Sequence, residues 1–102
     1  MAKYVFCFNE RTSSAWSPDQ EYVKLYLKYQ VEYLKIMKDH DGVLFVKDVL
    51  HTLGFDLRNF DIRTLAKHWK KKDVDIQIVN EMDSKEAYNP EPTHWLIIMN
   101  TD

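Results

Sequence analysis

The sequence predicts an α+β domain in which a three-stranded, mainly antiparallel sheet is covered by one long helix and one or two short helices. Three observations carry that expectation. Lys3 to Phe8 and Trp95 to Met99 are rich in aromatic and β-branched residues, as sheet segments are. Val74, Ile76 and Ile78 alternate with Asp75 and Gln77, the pattern of a strand with one wet face. Between them, Pro18 to Asp39 repeats its apolar residues at helical spacing.

Taken in order, Lys3 to Phe8 is apolar on both faces and is expected in the interior of the sheet. Asn9 to Trp16 is polar and irregular. Ser17-Pro18-Asp19-Gln20 then forms a helix start. Ser17 can cap, Pro18 suits the first helical position, Gln20 can reach back as in a capping box, and Asp19 favours the positive dipole end. Gly42 stops the helix after His40-Asp41. Val43 to Phe45 reads as a short extended segment. Val46, Val49, Leu50 and Leu53 place a short helix against the first, and Gly54 ends it. Asp61 is a plausible cap for a third short helix through Ile62, Leu65, Ala66 and Trp69. The strand from Val74 is followed by a long connection, Asn80 to Thr93, containing Asn89-Pro90-Glu91-Pro92. The last two strands should pair antiparallel, because sequential strands usually do.

The 102 residues are expected to form one domain, 1-102, large enough to bury a core without disulfide or metal. A net charge of −2 and a pI near 6.1 argue against a strongly basic nucleic-acid binder. The single cysteine, Cys7, in an apolar run reads as a small buried hydrophobe of a reducing compartment. The apolar stretch at the N-terminus is too short for a secretory signal. No run approaches the ~18 apolar residues of a membrane span. A cytoplasmic protein without membrane association is expected.

Tyr22, Tyr26, Tyr29 and Tyr33 recur at steps of four, three and four residues. At about 100° per residue they fall within an arc of roughly 60°, with Leu25 and Ile36 on one flank and Met37, Val23, Leu34 and Leu27 on the other. A buried tyrosine needs a partner for its hydroxyl where leucine would not. The face is therefore either an unusual core stripe or a contact surface. Because a three-stranded sheet must be covered, the core is expected to claim the middle of it.

Signals for chemistry are few. His40, His51, His68 and His94 form no recognised ligand pattern, so no metal and no cofactor are expected. No Ser or Cys stands in a nucleophile-elbow context, and both glycines serve as helix stops rather than a phosphate cradle. Asp48 stands three residues before His51, within reach on one helix face. An enzyme using His51 or His68 as general base is the weakest reading, and a non-enzymatic protein is expected. Lys67, Trp69, Lys70, Lys71 and Lys72 form the one dense basic cluster, which could lay an aromatic plane and several cations along a nucleic-acid strand. The plainer reading is a solvated helix end with Trp69 turned into the core. The long connection carries Glu81, Asp83, Glu86 and Glu91, with Met82 and Tyr88 as hydrophobic anchors. It could meet a basic partner surface or be merely solvated.

The stretch Asp41-Gly42-Val43-Leu44-Phe45-Val46-Lys47-Asp48-Val49-Leu50-His51-Thr52-Leu53-Gly54, followed by Trp69, Asp73, Val74-Asp75-Ile76 and a closing apolar strand, resembles small uncharacterised proteins of Gram-positive phages and prophages. The resemblance spans about half the chain, and His68 stands where that pattern has a glycine. It implies a phage or mobile-element accessory protein acting in the bacterial host cytoplasm, and it transfers no functional residue. The expectation is a small interaction protein that binds a host or phage protein, or a second copy of itself. Its candidate contact residues are Tyr22, Tyr26, Tyr29 and Tyr33 together with Met82, Asp83, Glu86 and Tyr88. Nucleic-acid binding through Lys67 to Lys72 is the alternative.

Overall fold

The elements run β1 (Ala2–Phe8), α1 (Gln20–Asp41), β2 (Leu44–Phe45), α2 (Val46–Thr52), α3 (Ile62–Leu65), β3 (His68–Trp69), β4 (Ile76–Asn80) and β5 (Trp95–Thr101), with a 3-10 turn at Leu57–Asn59. They come from a computed structural model that describes residues 2–80 and 95–102. Strands β1, β5 and β4 form an antiparallel sheet in that order, and β2 pairs with β3 in a second, two-stranded sheet. With one long helix and several short ones, this is an α+β fold.

Alternation along β5 decides which sheet face is the core. Trp95, Ile97, Met99 and Thr101 are buried, whereas Leu96, Ile98 and Asn100 are only partly so. The register aligns Phe8, Phe6 and Tyr4 of β1 with Trp95, Ile97 and Met99, and Ile78 and Ile76 of β4 with Ile97 and Met99. These rows face the helices. Lys3, Val5 and Cys7 of β1 point to the other side and are exposed. Two expectations are corrected here. β1 is an edge strand, because β5, apolar and paired along both sides, takes the centre. Cys7 is exposed, because the period of two that sends Phe6 and Phe8 inward sends Cys7 outward.

The long helix starts and stops two residues later than its sequence suggests. Asp19, not Ser17, is the N-cap, its carboxylate accepting the Tyr22 N–H at 3.2 Å. Ser17 instead accepts the Asp19 N–H in a local turn, and the Gln20 side-chain Oε1 accepts the Trp95 indole N–H at 2.8 Å, so no capping box forms. Gly42 caps the C-terminus in the left-handed region, donating to Lys38. Asp48 accepts the Phe45 N–H at the start of α2, and Asp61 accepts the Thr64 N–H at 2.7 Å to cap α3. That third helix is a single turn. Trp69 lies beyond it in β3, opposite Leu44, where its buried ring donates to the Asn100 carbonyl at 2.7 Å. The expected helical period through Trp69 fails because Val46 N–H pairs with the Lys67 carbonyl, drawing 67–69 into extended pairing.

The core joins Val23, Leu27 and Leu34 of α1 to the inner sheet face, to Val46, Val49 and Leu50 of α2, and to Leu44, Leu53, Phe55 and Trp69. Each such fully buried side chain contributes roughly 1.5–3 kcal/mol. The irregular segment after β1 is stitched to the end of α2. Ser13 bridges Phe55, its hydroxyl donates to the Leu53 carbonyl, and Ser14 N–H donates to Gly54. Gly54 has φ +84°, and a Cβ there would stand 2.7 Å from Ser13 Oγ and 3.0 Å from Ala15 N. Gly42 has φ +81° but open space around it.

Gly42→Ala is accordingly expected to cost about 1–2 kcal/mol from backbone conformation alone. Gly54→Ala should cost clearly more, because Ser13 and its hydrogen bonds must also shift. Chemical denaturation of both variants checks the order, and equal losses would contradict the close approach at Gly54.

Candidate functional site

Helix α1 is apolar on two sides. Its buried line is Val23, Leu27, Val31 and Leu34, within an arc of roughly 80° on a helical projection. A second arc of similar width, nearly opposite, carries Tyr22 (52% exposed), Leu25 (51%), Tyr29 (66%), Tyr33 (53%) and Ile36 (66%). A helix lying on a sheet ordinarily has one apolar stripe and a polar remainder. Here the charged residues Glu21, Lys24, Lys28, Glu32, Lys35 and Asp39 fill the space between the two stripes on one side, while Lys38 continues the buried side at the helix end. On the other side stand the partly buried Tyr26, Gln30 and Met37.

The expectation that the core takes the middle of the tyrosine stripe is therefore corrected for three of the four rings. Four aliphatic residues at steps of four, four and three offer the sheet a surface with no hydroxyl to satisfy. The tyrosines are rotated away from it. Tyr26 is the exception: half-buried, it donates its hydroxyl to the Thr52 carbonyl at 2.9 Å and ties α1 to the end of α2. Burial, with the neighbouring Tyr22 phenol as a smaller cause, raises the pKa of Tyr26. Tyr22 stacks on it with ring centroids 6.2 Å apart, which leaves Leu25, Tyr29, Tyr33 and Ile36 as the freest part of the face. Leu25 and Ile36 look from sequence like mere flanks of the stripe, yet they lie within it. The stronger signal was the Val23, Leu27, Val31, Leu34 line, which fixes the inward direction. Met82, Asp83, Glu86 and Tyr88 lie outside the described residues.

The basic segment is built differently from the strand-binding surface considered above. Trp69 is fully buried and presents no ring face for stacking on a base. Lys67, Lys70 and Lys71 are exposed and Lys72 is half-buried. The backbone N–H groups of Lys70, Lys71 and Lys72 converge on one carboxylate, that of Asp102, at 2.9, 3.0 and 3.0 Å. Such a concave set of amides is an anion-binding nest, and the chain fills it with its own side chain. These hydrogen bonds, led by that from Lys71, and the charge of His68 hold the Asp102 carboxyl down to about 2.

Histidine chemistry finds little support in the geometry. The Asp48 carboxylate is turned to the Phe45 N–H. Among the described residues the His51 ring makes no hydrogen bond or ion pair, and its backbone carbonyl accepts the Gly54 N–H at 3.0 Å. It borders an open polar cleft of about 480 Å³ shared with Arg11, Ser13, Asp56 and Asn59. Within that cleft Ser13 is committed to Leu53 and Asp56 to Arg58 at 2.9 Å. His68 packs edge-on against Phe45 and has its Nδ1 3.2 Å from the Ala66 carbonyl. Among the described residues no three His, Cys, Asp or Glu side chains gather as metal ligands, and no helix is long and apolar enough to cross a membrane. Comparison with family models, with curated proteins and with solved structures found no match.

The Asp102 nest makes a pH-dependent prediction. The folded carboxyl titrates near 2, below its ordinary 3.8, so its stabilisation is complete above about pH 4 and is lost as pH falls through about 2. Asp102→Asn should lower the thermal midpoint at pH 6, with the gap from wild type closing as pH falls below about 4. A gap constant from pH 6 to pH 2 would mean that the charge on Asp102 is immaterial.

Proposed function

We propose that the protein works by binding another protein through the outer face of α1, and that it is not an enzyme. The observation that carries this reading is the contiguous stripe of Tyr22, Leu25, Tyr29, Tyr33 and Ile36, five large side chains each more than half exposed on one rigid helix. Scattered exposed hydrophobes are ordinary, but a clustered set on one element is a recognition surface by its chemistry. Tyrosine suits such a surface: its ring supplies contact area with few rotatable bonds, and its hydroxyl keeps the free state wetted. Helix-face recognition of this kind reads anchors at successive turns, as the spacing here provides. Binding as the sole activity also agrees with the accessory role implied by the resemblance to phage and prophage proteins.

The test separates the wet tyrosines from the one that supports the fold. Tyr29→Ala with Tyr33→Ala should abolish capture of a partner from host lysate and shift stability by no more than about 0.5 kcal/mol per site, as exposed substitutions do. Tyr26→Phe should cost about 1 kcal/mol through the lost Thr52 hydrogen bond and leave capture intact. Loss of folding in the double variant, or capture that survives it, would count against the outer face as the binding site.

A further inference from the structure

The stripe has a symmetry that a surface for an unrelated partner does not require. Its members stand at 22, 25, 29, 33 and 36, so the steps are three, four, four and three, and the spacing reads the same in both directions about Tyr29. A two-fold axis through Tyr29 sets two copies of α1 antiparallel. It lays Tyr22 on the partner's Ile36, Leu25 on the partner's Tyr33, and Tyr29 on its own counterpart. An isologous interface needs this property of self-complementarity under a two-fold rotation. On the basis of the helix-face reading above, we infer that the occupant of this face is a second copy of the same chain, paired antiparallel across Tyr29.

Charge along the edge of the stripe brings opposite and like signs together in that pairing. In the antiparallel register Glu21 comes opposite Lys35, and Glu32 opposite Lys24 and Lys28, each within two positions of perfect alignment. The two Lys28 side chains near the axis are each met by a Glu32 from the other copy. A parallel pairing would instead set this charged flank against the partner's flank of Tyr26, Gln30 and Met37, where its charges meet no opposite sign. Like signs also meet, Lys24 one position from the partner's Lys35, Lys28 two from its own counterpart and Glu21 two from the partner's Asp39, at an exposed rim that solvent screens. The Glu32 to Lys35 contact within one helix, 3.6 Å with both side chains largely exposed, is weak enough to be exchanged.

Size sets the strength. Five side chains of ~200 Å² each, a little over half exposed, offer about 500–600 Å² per copy. Two copies bury about 1,100 Å² before the flanks are counted, near the lower bound for a specific interface. Dimerisation should therefore be reversible and concentration-dependent. The seam from Tyr22 to Ile36 is about 21 Å long, which α1 spans without bending.

Cross-linking in a Cys7→Ser background tests both the partner and the orientation. With the helices packed about 8–10 Å apart, Tyr29→Cys lies on the axis and should form a disulfide with itself under mild oxidation. Tyr22→Cys and Ile36→Cys lie about 21 Å from their own counterparts and should link only when mixed. Sedimentation of the wild-type chain should show dimer at high concentration. Tyr29→Glu should weaken that dimer at least about 30-fold with unchanged circular dichroism. Self-linking of Tyr22→Cys would overturn the antiparallel pairing, and a chain monomeric to millimolar concentration would overturn the second copy as occupant. If that monomer still captured a host protein and lost it on Tyr29→Glu, the helix-face reading would stand without the dimer. A dimer unaffected by Tyr29→Glu would remove both.

Discussion

The rotation of α1 about its own axis is the constraint on which the outer surface depends. Two hydrogen bonds fix it: Trp95 indole to the Gln20 side chain near its start, and Tyr26 hydroxyl to the Thr52 carbonyl further along. Between these points the aliphatic line from Val23 to Leu34 lies in the core with Ile97, Met99 and the α2 residues. Turning the helix by one residue, about 100°, would exchange that line for tyrosines whose hydroxyls find no partners in the sheet. The cost of burying them unpaired opposes any such rotation, so the same polarity that makes tyrosine a poor core residue here holds the stripe outside.

Sequence carried the architecture well and the direction of the helix poorly. Alternation at Ile76 and Ile78, the apolar run from Trp95 and the glycine stops at Gly42 and Gly54 each report on local backbone, and the structure uses them as such. Which strand is central depends on pairing between β1 and β5, separated by most of the chain, and no local pattern in Lys3 to Phe8 distinguishes an edge from a centre. The tyrosine arc and the aliphatic line are only about 60° apart on a helical projection, and together they span about 200°, too wide to point in one direction. The aliphatic line marks the inward side, and the tertiary bonds of Gln20 and Tyr26 hold it there. Trp69 misled for a related reason: its helical spacing from Ile62 and Leu65 is real, but pairing of Leu44 with Trp69 overrides it.

The same long-range pairing reshapes the basic segment. Trp69 in the core and the Asp102 carboxylate on three successive amides hold residues 69–72 from both sides, and Asp102 N–H returns a bond to the His68 carbonyl. A loop locked by a neighbouring strand has little freedom to mould itself to a nucleic-acid backbone, and its amides already hold an anion. Its lysines read as the solvated rim of a structural turn, which agrees with the modest negative charge of the whole chain.

That leaves the outer face of α1 as the place where local rules and global structure disagree, and such disagreement ordinarily marks function rather than folding. Burial of Tyr29, Tyr33, Leu25 and Ile36 is incomplete in the isolated domain, because each is more than half exposed there. Helix propensity does not call for them either: tyrosine and isoleucine are weaker helix formers than the lysine, glutamate or alanine that an unburdened surface would accept. The residues thus weaken the helix slightly and expose apolar area without return inside the domain. An interface reverses both effects, since it buries the rings while their hydroxyls stay at its edge. The evenness of the spacing about Tyr29 then matters physically, because a symmetric pair doubles each favourable contact for a single ordering of the two chains.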